Sequence, residues 1–332
     1  METMETLTAQ ALIVPEHGDA DVLRVERREV PAPGPGQVRV RVAACGVNFI
    51  DTYQRAGIYP IETPFVQGME GAGTVEAVGD GVTEVAPGDR VAWAMQLGSA
   101  ATVAVLPAEA MVPVPEAVEL DVAAAAMLQA MTAHFLVNDT YRCTAETVAL
   151  VHAAAGGVGQ LLVQLLKAKG ATVVATAGSE DKLAVARSRG ADHLVNYREH
   201  DSAEDLAEAI CSASGGVHVA YDGVGRATFD ASLASLHPRG MLVLFGAASG
   251  PVPPIDPQRL NQGGSLYLTR PSLAHYVATR EELLARAGEV FDLIADGTLQ
   301  IAIDSRHPLA EARAAYDALE GRRTSGKVLL IP

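Results

Sequence analysis

Residues 152–160 read HAAAGGVGQ, between the apolar runs TVALV and LLVQLL. Small residues at such a junction serve one of two ends. They let a helix start close against a strand, or they offer backbone N–H groups and the positive end of a helix dipole to a pyrophosphate. The first glycine of a GxGxxG pattern is Ala154 here, followed by Ala155, Gly156, Gly157, Val158 and Gly159, so the turn by itself leaves both ends open. A second group bears on the same chemistry. Folds that select NAD place a carboxylate on the ribose 2′-hydroxyl roughly 20 residues further on. This chain has TVVATAGSEDK there, with Gly178 and Ser179 at the expected spot and Lys182 one turn later. A hydroxyl with an ammonium suits a 2′-phosphate and favours NADPH, while Glu180 and Asp181 oppose it. His152, on the strand before the turn, reads as a satisfied core residue.

The elements around these groups decide between packing and ligand. From about residue 147 strand and helix alternate: TVALVHA, then GVGQLLVQLLKAKG, TVVATA, SEDKLAVARSRG, HLVNY, SAEDLAEAICSAS, VHVAYDGVG, ATFDASLASLHPRG, MLVLFGA and SLYLTRP. Strands alternating with helices of this length form βαβ units and a parallel sheet covered on both faces. A glycine turn that follows the first strand of such a series and opens its first helix is in the setting dinucleotide binding requires. The first 115 residues differ: short alternating runs bounded by PAPGPG, GDGVTEVAPGD and LGS predict an antiparallel β region. An alanine-rich helix, LDVAAAAMLQAMTAHFLVNDT, leads out of it. After the sheet come a long helix, LAHYVATREELLARAGEVFDLIADG, a short strand QIAI, a helix PLAEARAAYDALEGR and a last strand KVLLIP. So apolar a closing strand needs burial, and the first β region is where it would find it. The outer domain is expected to be discontinuous, residues 1–131 with 273–332, around a dinucleotide domain at 132–272.

A chain of 332 residues with a formal net charge of −15 suits two soluble domains and offers no general attraction to nucleic acid or anionic membranes. Its three cysteines, Cys45, Cys143 and Cys211, are too far apart for a CxxC metal cluster or a disulfide framework. The opening residues lack a cationic segment followed by an apolar run, and no apolar stretch of 18 residues is read anywhere, so a cytoplasmic protein is expected.

Several stretches resemble the zinc-free NADPH:quinone oxidoreductases of the medium-chain dehydrogenase/reductase superfamily: GVNFIDTYQRAGIYP, HAAAGGVG, NYRE, YDGVGR, NQGGSLYLTRPSL and the ending SGKVLLIP. They run from the first β region to the last residue. The resemblance implies an α/β fold: a Rossmann-type doubly wound parallel sheet plus a discontinuous GroES-like β-rich catalytic domain. In zinc-dependent members the metal is held by a cysteine, a histidine of a GHE segment and a later cysteine. The matching positions here look like Asn48, the segment Gly68-Met69-Glu70 and the cysteine-free AAAAMLQAMT, a set that does not suit Zn²⁺.

By the same resemblance Asn48, Asp51 and Tyr53 sit beside the nicotinamide and its ribose, and Thr132 faces the nicotinamide end. Gly156, Gly157 and Val158 cradle the pyrophosphate. Gly178, Ser179, Lys182 and Tyr197 surround the 2′-phosphate, Phe245, Gly246 and Ser249 follow the fifth strand, and Thr269, Arg270 and Arg322 complete the set. Departures from the family pattern are Gln129 for a lysine, Gly223 for a serine, and FGAASG for an FGNSSG-like turn. The implied activity is hydride transfer from NADPH to a quinone, with Asn48 or Tyr53 donating to the substrate oxygen. Reduction of a conjugated C=C bond, as by an alkenal or enoyl reductase, is the nearest alternative. A non-enzymatic NADPH- or RNA-binding role is a remote one. Relatives pair through the strand matching GSLYLTR, so a homodimer is expected.

Overall fold

The computed structural model describes residues 7–332, which divide into two units. Unit 1 contains the chain up to Met131, Val277–Gly297 and Ile301–Pro332; unit 2 contains Thr132–Tyr276 and Thr298–Gln300.

Unit 1 begins with β1 (Leu7–Val14), β2 (Arg24–Val30), β3 (Gln37–Val47), helix α1 (Phe49–Arg55), β4 (Phe65–Val66), β5 (Glu70–Val78), β6 (Arg90–Ala94), β7 (Val103–Pro107) and β8 (Val112–Pro113). Helix α2 (Leu120–Phe135), extended by a π-helical turn over Leu136–Thr140, leads into unit 2. There β9 (Val148–Val151), α3 (Gly157–Ala168), β10 (Thr172–Ala177), α4 (Glu180–Ser188), β11 (His193–Asn196), α5 (Ala203–Ser214), β12 (Val217–Asp222), α6 (Phe229–Ala234), β13 (Leu236–Leu244), α7 (Gln258–Gln262) and β14 (Tyr267–Thr269) follow. Helix α8 (Arg280–Ala295), β15 (Ile303–Pro308), α9 (Ala312–Glu320) and β16 (Lys327–Ile331) return to unit 1.

In unit 2 the six strands form one parallel sheet ordered β11-β10-β9-β12-β13-β14. The order reverses between β9 and β12, and ligands of open parallel sheets bind at the carboxyl ends of strands beside such a reversal. Its interior strands are apolar on both faces, as Val173, Val174, Ala175, Val219, Ala220 and Leu242 are all buried. In unit 1 a seven-stranded sheet runs β15-β16-β3-β5-β6-β8 with β7 on β3, and a second sheet runs β2-β1-β4. The apolar closing strand β16 pairs antiparallel with β3, Leu329 opposite Gly46.

Four sequence expectations need correction. The helix expected through HPRG stops at Ala234, and β13 already starts at Leu236, where Pro238 lies on a strand that its ring tolerates better than a helix interior. The long helix expected from Leu273 starts only at Arg280; Thr279 and Glu282 form a capping box there, a signal present in the sequence. The strand expected at QIAI lies at Ile303–Pro308, a sheet edge on which Ile303, Ser305 and His307 are half-buried in alternation, so only its first inward residue is apolar. Finally, one helix among the described residues, Leu120–Thr140, is long and apolar enough to cross a membrane, and it is mostly buried inside the protein. Its alanines fill the protein core, as an all-round apolar helix requires.

Candidate functional site

The glycine turn leaves β9 at Val151. The N–H of His152 donates to Tyr221 O at 3.2 Å, tying the turn to β12 across the reversal point. Ala153 takes the left-handed conformation at φ 50°, and the N–H of Gly156 donates back to Ala153 O at 2.8 Å. A side chain on Gly159 would collide with the Ala153 carbonyl and come within 2.8 Å of Ala154 Cα, so this glycine serves packing. Gly156 and Gly157 stand at the start of α3. Gly156 N-caps α3 with no side-chain hydrogen bond, and the first turn carries no acidic residue. By contrast, α4 and α5 are capped by Ser179 and Ser202 and carry carboxylates in their first turns. The start of α3 therefore keeps its backbone donors and dipole for an anion. Gly159→Val should distort this turn and weaken dinucleotide binding at least tenfold in a fluorescence titration; unchanged affinity would remove Gly159 from the account.

Around the turn the carboxylate of Asp222 organises the next loop. It accepts from Val224 N–H and Gly225 N–H at 2.8 and 2.9 Å, and from the Thr228 and Ser232 hydroxyls at 2.7 and 2.8 Å. A Cβ on Gly223 would lie 2.8 Å from the Phe245 ring, and one on Gly246 would overlap the Gly223 carbonyl. The missing serine at position 223 thus makes room for an aromatic ring. Ser249 donates to Val224 O at 2.8 Å and accepts from Ala227 N–H at 3.0 Å, so its hydroxyl locks two loops together. His152 is buried, with Nδ1 2.8 Å from Thr176 Oγ1, and burial lowers its pKa while the nearby Asp222 charge opposes the shift.

At the end of β10, Gly178 is buried and Ser179 caps α4 by accepting from Lys182 N–H at 3.4 Å. Tyr197 stands against Gly178 with its hydroxyl 2.5 Å from where a Cβ would be. Thr132 and Thr269 are half-buried, whereas Arg270 and Arg322 are exposed. Val158 is half-buried in the first turn of α3.

Unit 1 gathers a different set. Asn48 lies at the junction of β3 and α1 and is 3% exposed. Its Nδ2 donates to Glu70 Oε1 at 2.8 Å and to Gly46 O at 3.3 Å; its Oδ1 accepts from Lys327 Nζ at 2.8 Å and from Gln129 Nε2 at 3.4 Å. Lys327 and Glu70, both buried, form a direct ion pair, and Glu70 Oε2 accepts from Leu128 N–H at 2.6 Å. Only a glycine fits at position 46, because a Cβ there would overlap Glu70 and come within 2.6 Å of Lys327 Cε. Sequence reasoning found Asn48 but missed Lys327 and Glu70 as its partners.

Asp51 is fully buried. Its Oδ2 accepts from Asn48 N–H at 2.9 Å and the Tyr316 hydroxyl at 3.1 Å, while Oδ1 has no hydrogen-bond partner. Burial raises its pKa to about 7 against those hydrogen bonds and the charge of Lys327. Tyr53, half-buried on α1, packs with Phe49 at 6.5 Å and edge-on with Tyr59 at 5.5 Å between ring centroids. Tyr59 and Ile58 are 41% and 59% exposed, which makes this end of α1 an open apolar shelf that the sequence reading did not single out.

The donor set does not fit a catalytic zinc ion. Asn48 is committed to an ammonium, and Met69 Sδ accepts from Gln54 Nε2 at 3.1 Å. Among the described residues no group of three or more histidine, cysteine, aspartate or glutamate side chains could hold a metal.

Comparisons with known proteins bear on both units. Residues 34–116 match the family described as alcohol dehydrogenase GroES-like domain, and residues 157–287 match the family described as zinc-binding dehydrogenase. A quinone oxidoreductase of Pseudomonas aeruginosa is 43% identical over 320 residues, covering 95% of this chain and 97% of its own. A 2-haloacrylate reductase of a Burkholderia species is 40% identical over 332 residues, covering 97% and 98%. The crystal structure of Escherichia coli quinone oxidoreductase complexed with NADPH superimposes with a TM-score of 0.94 at 40% identity, covering 97% of this chain and all of that one.

Proposed function

We infer, from the premise that the chain belongs to the quinone oxidoreductase family of the medium-chain dehydrogenase/reductase superfamily, that it reduces quinones with NADPH. The observation that carries this reading is the start of α3, with no side-chain cap and no acidic residue, beside the reversal point of the parallel sheet, with Gly178 and Ser179 in place of a ribose-binding carboxylate. Such a start fits a pyrophosphate. The fit extends to the 2′-phosphate through Ser179, Lys182 and Tyr197. In this assignment residues 132–272 are the NADPH domain, and residues 1–131 with 273–332 the GroES-like catalytic domain. Gly156, Gly157 and Val158 hold the pyrophosphate; Phe245, Gly246, Ser249, Thr269, Arg270 and Arg322 complete the cofactor contacts, with Thr132 towards the nicotinamide.

NADPH, when bound, supplies the hydride. The chain supplies orientation and a hydrogen bond to the acceptor oxygen as charge develops there. Both N–H bonds of the Asn48 amide are already engaged by Glu70 and Gly46, so Asn48 supports the site and Tyr53 is the donor to substrate. Asp51, buried on α1, fixes the Asn48 backbone and the Tyr316 hydroxyl beside the site. A quinol is acidic enough for water to complete protonation, and no buried lysine or histidine is required for it. Tyr53→Phe should lower kcat/KM for a naphthoquinone about tenfold, the upper end of what one net hydrogen bond contributes. Full turnover in this variant would remove Tyr53 from the mechanism.

A second reading is reduction of a conjugated C=C bond, favoured by the identity to the 2-haloacrylate reductase. We also place the protein in the cytoplasm, as a homodimer with no nucleic acid or membrane partner. The edge strand β14, with Tyr267 57% exposed, favours pairing with a second copy.

A further inference from the structure

We propose that Arg198 selects the 2′-phosphate of NADPH, an inference that rests on the cofactor reading above and names the residue that decides between NADPH and NADH. It begins from a bare stretch of backbone. Gly178 ends β10 without a side chain, and the point its Cβ would occupy lies 2.5 Å from the Tyr197 hydroxyl and 3.2 Å from Arg198 Nε. Two donors from the single turn Tyr197–Glu199 therefore converge over one backbone position.

The turn is fixed by Asn196, whose Oδ1 accepts from Arg198 N–H at 3.2 Å and whose Nδ2 donates to Glu199 Oε1 at 2.8 Å. That second bond engages the Glu199 carboxylate with Asn196. Arg198 itself is exposed, and its side chain makes no hydrogen bond or ion pair among the described residues.

Charge then decides the selectivity. The first turn of α4 carries two carboxylates, Glu180 and Asp181, against the single ammonium of Lys182. That balance is one negative charge in excess, and it would repel a phosphate dianion. Arg198 brings it to neutrality. Its planar fork can also meet two phosphate oxygens at once, which a single ammonium cannot. Without Arg198 the pocket is better suited to a plain ribose hydroxyl, which the two carboxylates tolerate.

The test is the affinity of the purified protein for NADPH, NADH, 2′,5′-ADP and 5′-AMP, measured by calorimetry for wild type, Arg198→Ala and Arg198→Lys. The expected result is at least a tenfold loss for NADPH and 2′,5′-ADP in Arg198→Ala. NADH and 5′-AMP should stay within twofold, and Arg198→Lys should recover part of the loss. Added salt should weaken NADPH binding less in Arg198→Ala than in wild type. A wild type that prefers NADPH while Arg198→Ala keeps that preference overturns the role of Arg198 and leaves the cofactor reading standing. A wild type that binds NADPH and NADH equally overturns both. Unchanged thermal unfolding of the variants, expected for an exposed residue, ties the losses to binding.

Discussion

Lys327→Met is expected to destabilise unit 1 by about 3–5 kcal/mol, because it leaves Glu70 as a buried carboxylate without its counter-charge. Lys327 and Glu70 are 1% and 0% exposed, so solvent cannot replace the lost ammonium. The damage would spread to Asn48, whose Oδ1 loses a 2.8 Å hydrogen bond and keeps only the longer one from Gln129. Glu70→Gln in the same chain removes the stranded charge while keeping one acceptor oxygen for one of its two donors, Leu128 N–H or the Asn48 amide. The double variant should therefore recover more than half of the loss. Denaturant unfolding of the four proteins forms a cycle that measures the coupling directly. Additive losses, or a single Lys327→Met loss below about 1 kcal/mol, would show that the pair is not the buried support of Asn48 described above.

Asp51→Asn is expected to stabilise the protein at alkaline pH and to flatten its pH dependence. The folded-state pKa of Asp51 is about 7, raised by burial from an ordinary 3.8. With the folded value above the unfolded one, the folded state holds the proton longer. The contribution to stability is fully present below about pH 4 and is lost as pH rises to about 7. Raising the pKa from 3.8 to about 7 corresponds to at most about 4 kcal/mol, of which about 2–3 kcal/mol falls between pH 5 and 7. Asparagine keeps an acceptor for Asn48 N–H and the Tyr316 hydroxyl, so the variant removes the charge and little else. Buried His152 and half-buried His218, whose pKa values are lowered chiefly by desolvation, act with the opposite sign as pH falls through their folded values. Their contribution cancels in the difference between variant and wild type. Unfolding measured at pH 5 and pH 8 should show the variant gaining on wild type by that amount. A difference that does not change with pH would mean that Asp51 is ionised throughout.

The parallel sheet was legible in the sequence because each strand and helix carries its own local pattern, and glycines mark the turns between them. The glycine turn was legible as a type of turn. The packing role of Gly159 emerged only in three dimensions, where a Cβ would meet the Ala153 carbonyl, while Gly156 caps α3 without a side chain. Local signals were also misread: Thr279 and Glu282 mark the start of α8, yet the apolar residues before them invited a longer helix. Asn48 could be found from its neighbours in NFIDTY. Lys327 could not, because it is 257 residues from Glu70 and meets it only through the order β16-β3-β5. A lone lysine opening a buried strand, KVLLI, was the one hint, and a solvated strand end explains such a residue equally well in sequence alone.

The central claim is NADPH-dependent reduction of a quinone by this chain. Its most direct test follows NADPH oxidation at a wavelength of about 340 nm, with a naphthoquinone and an α,β-unsaturated aldehyde supplied in parallel to the purified protein. The account predicts rapid turnover with the quinone and slow turnover with the aldehyde. Faster turnover with the aldehyde, or none with either while NADPH binds, would contradict it.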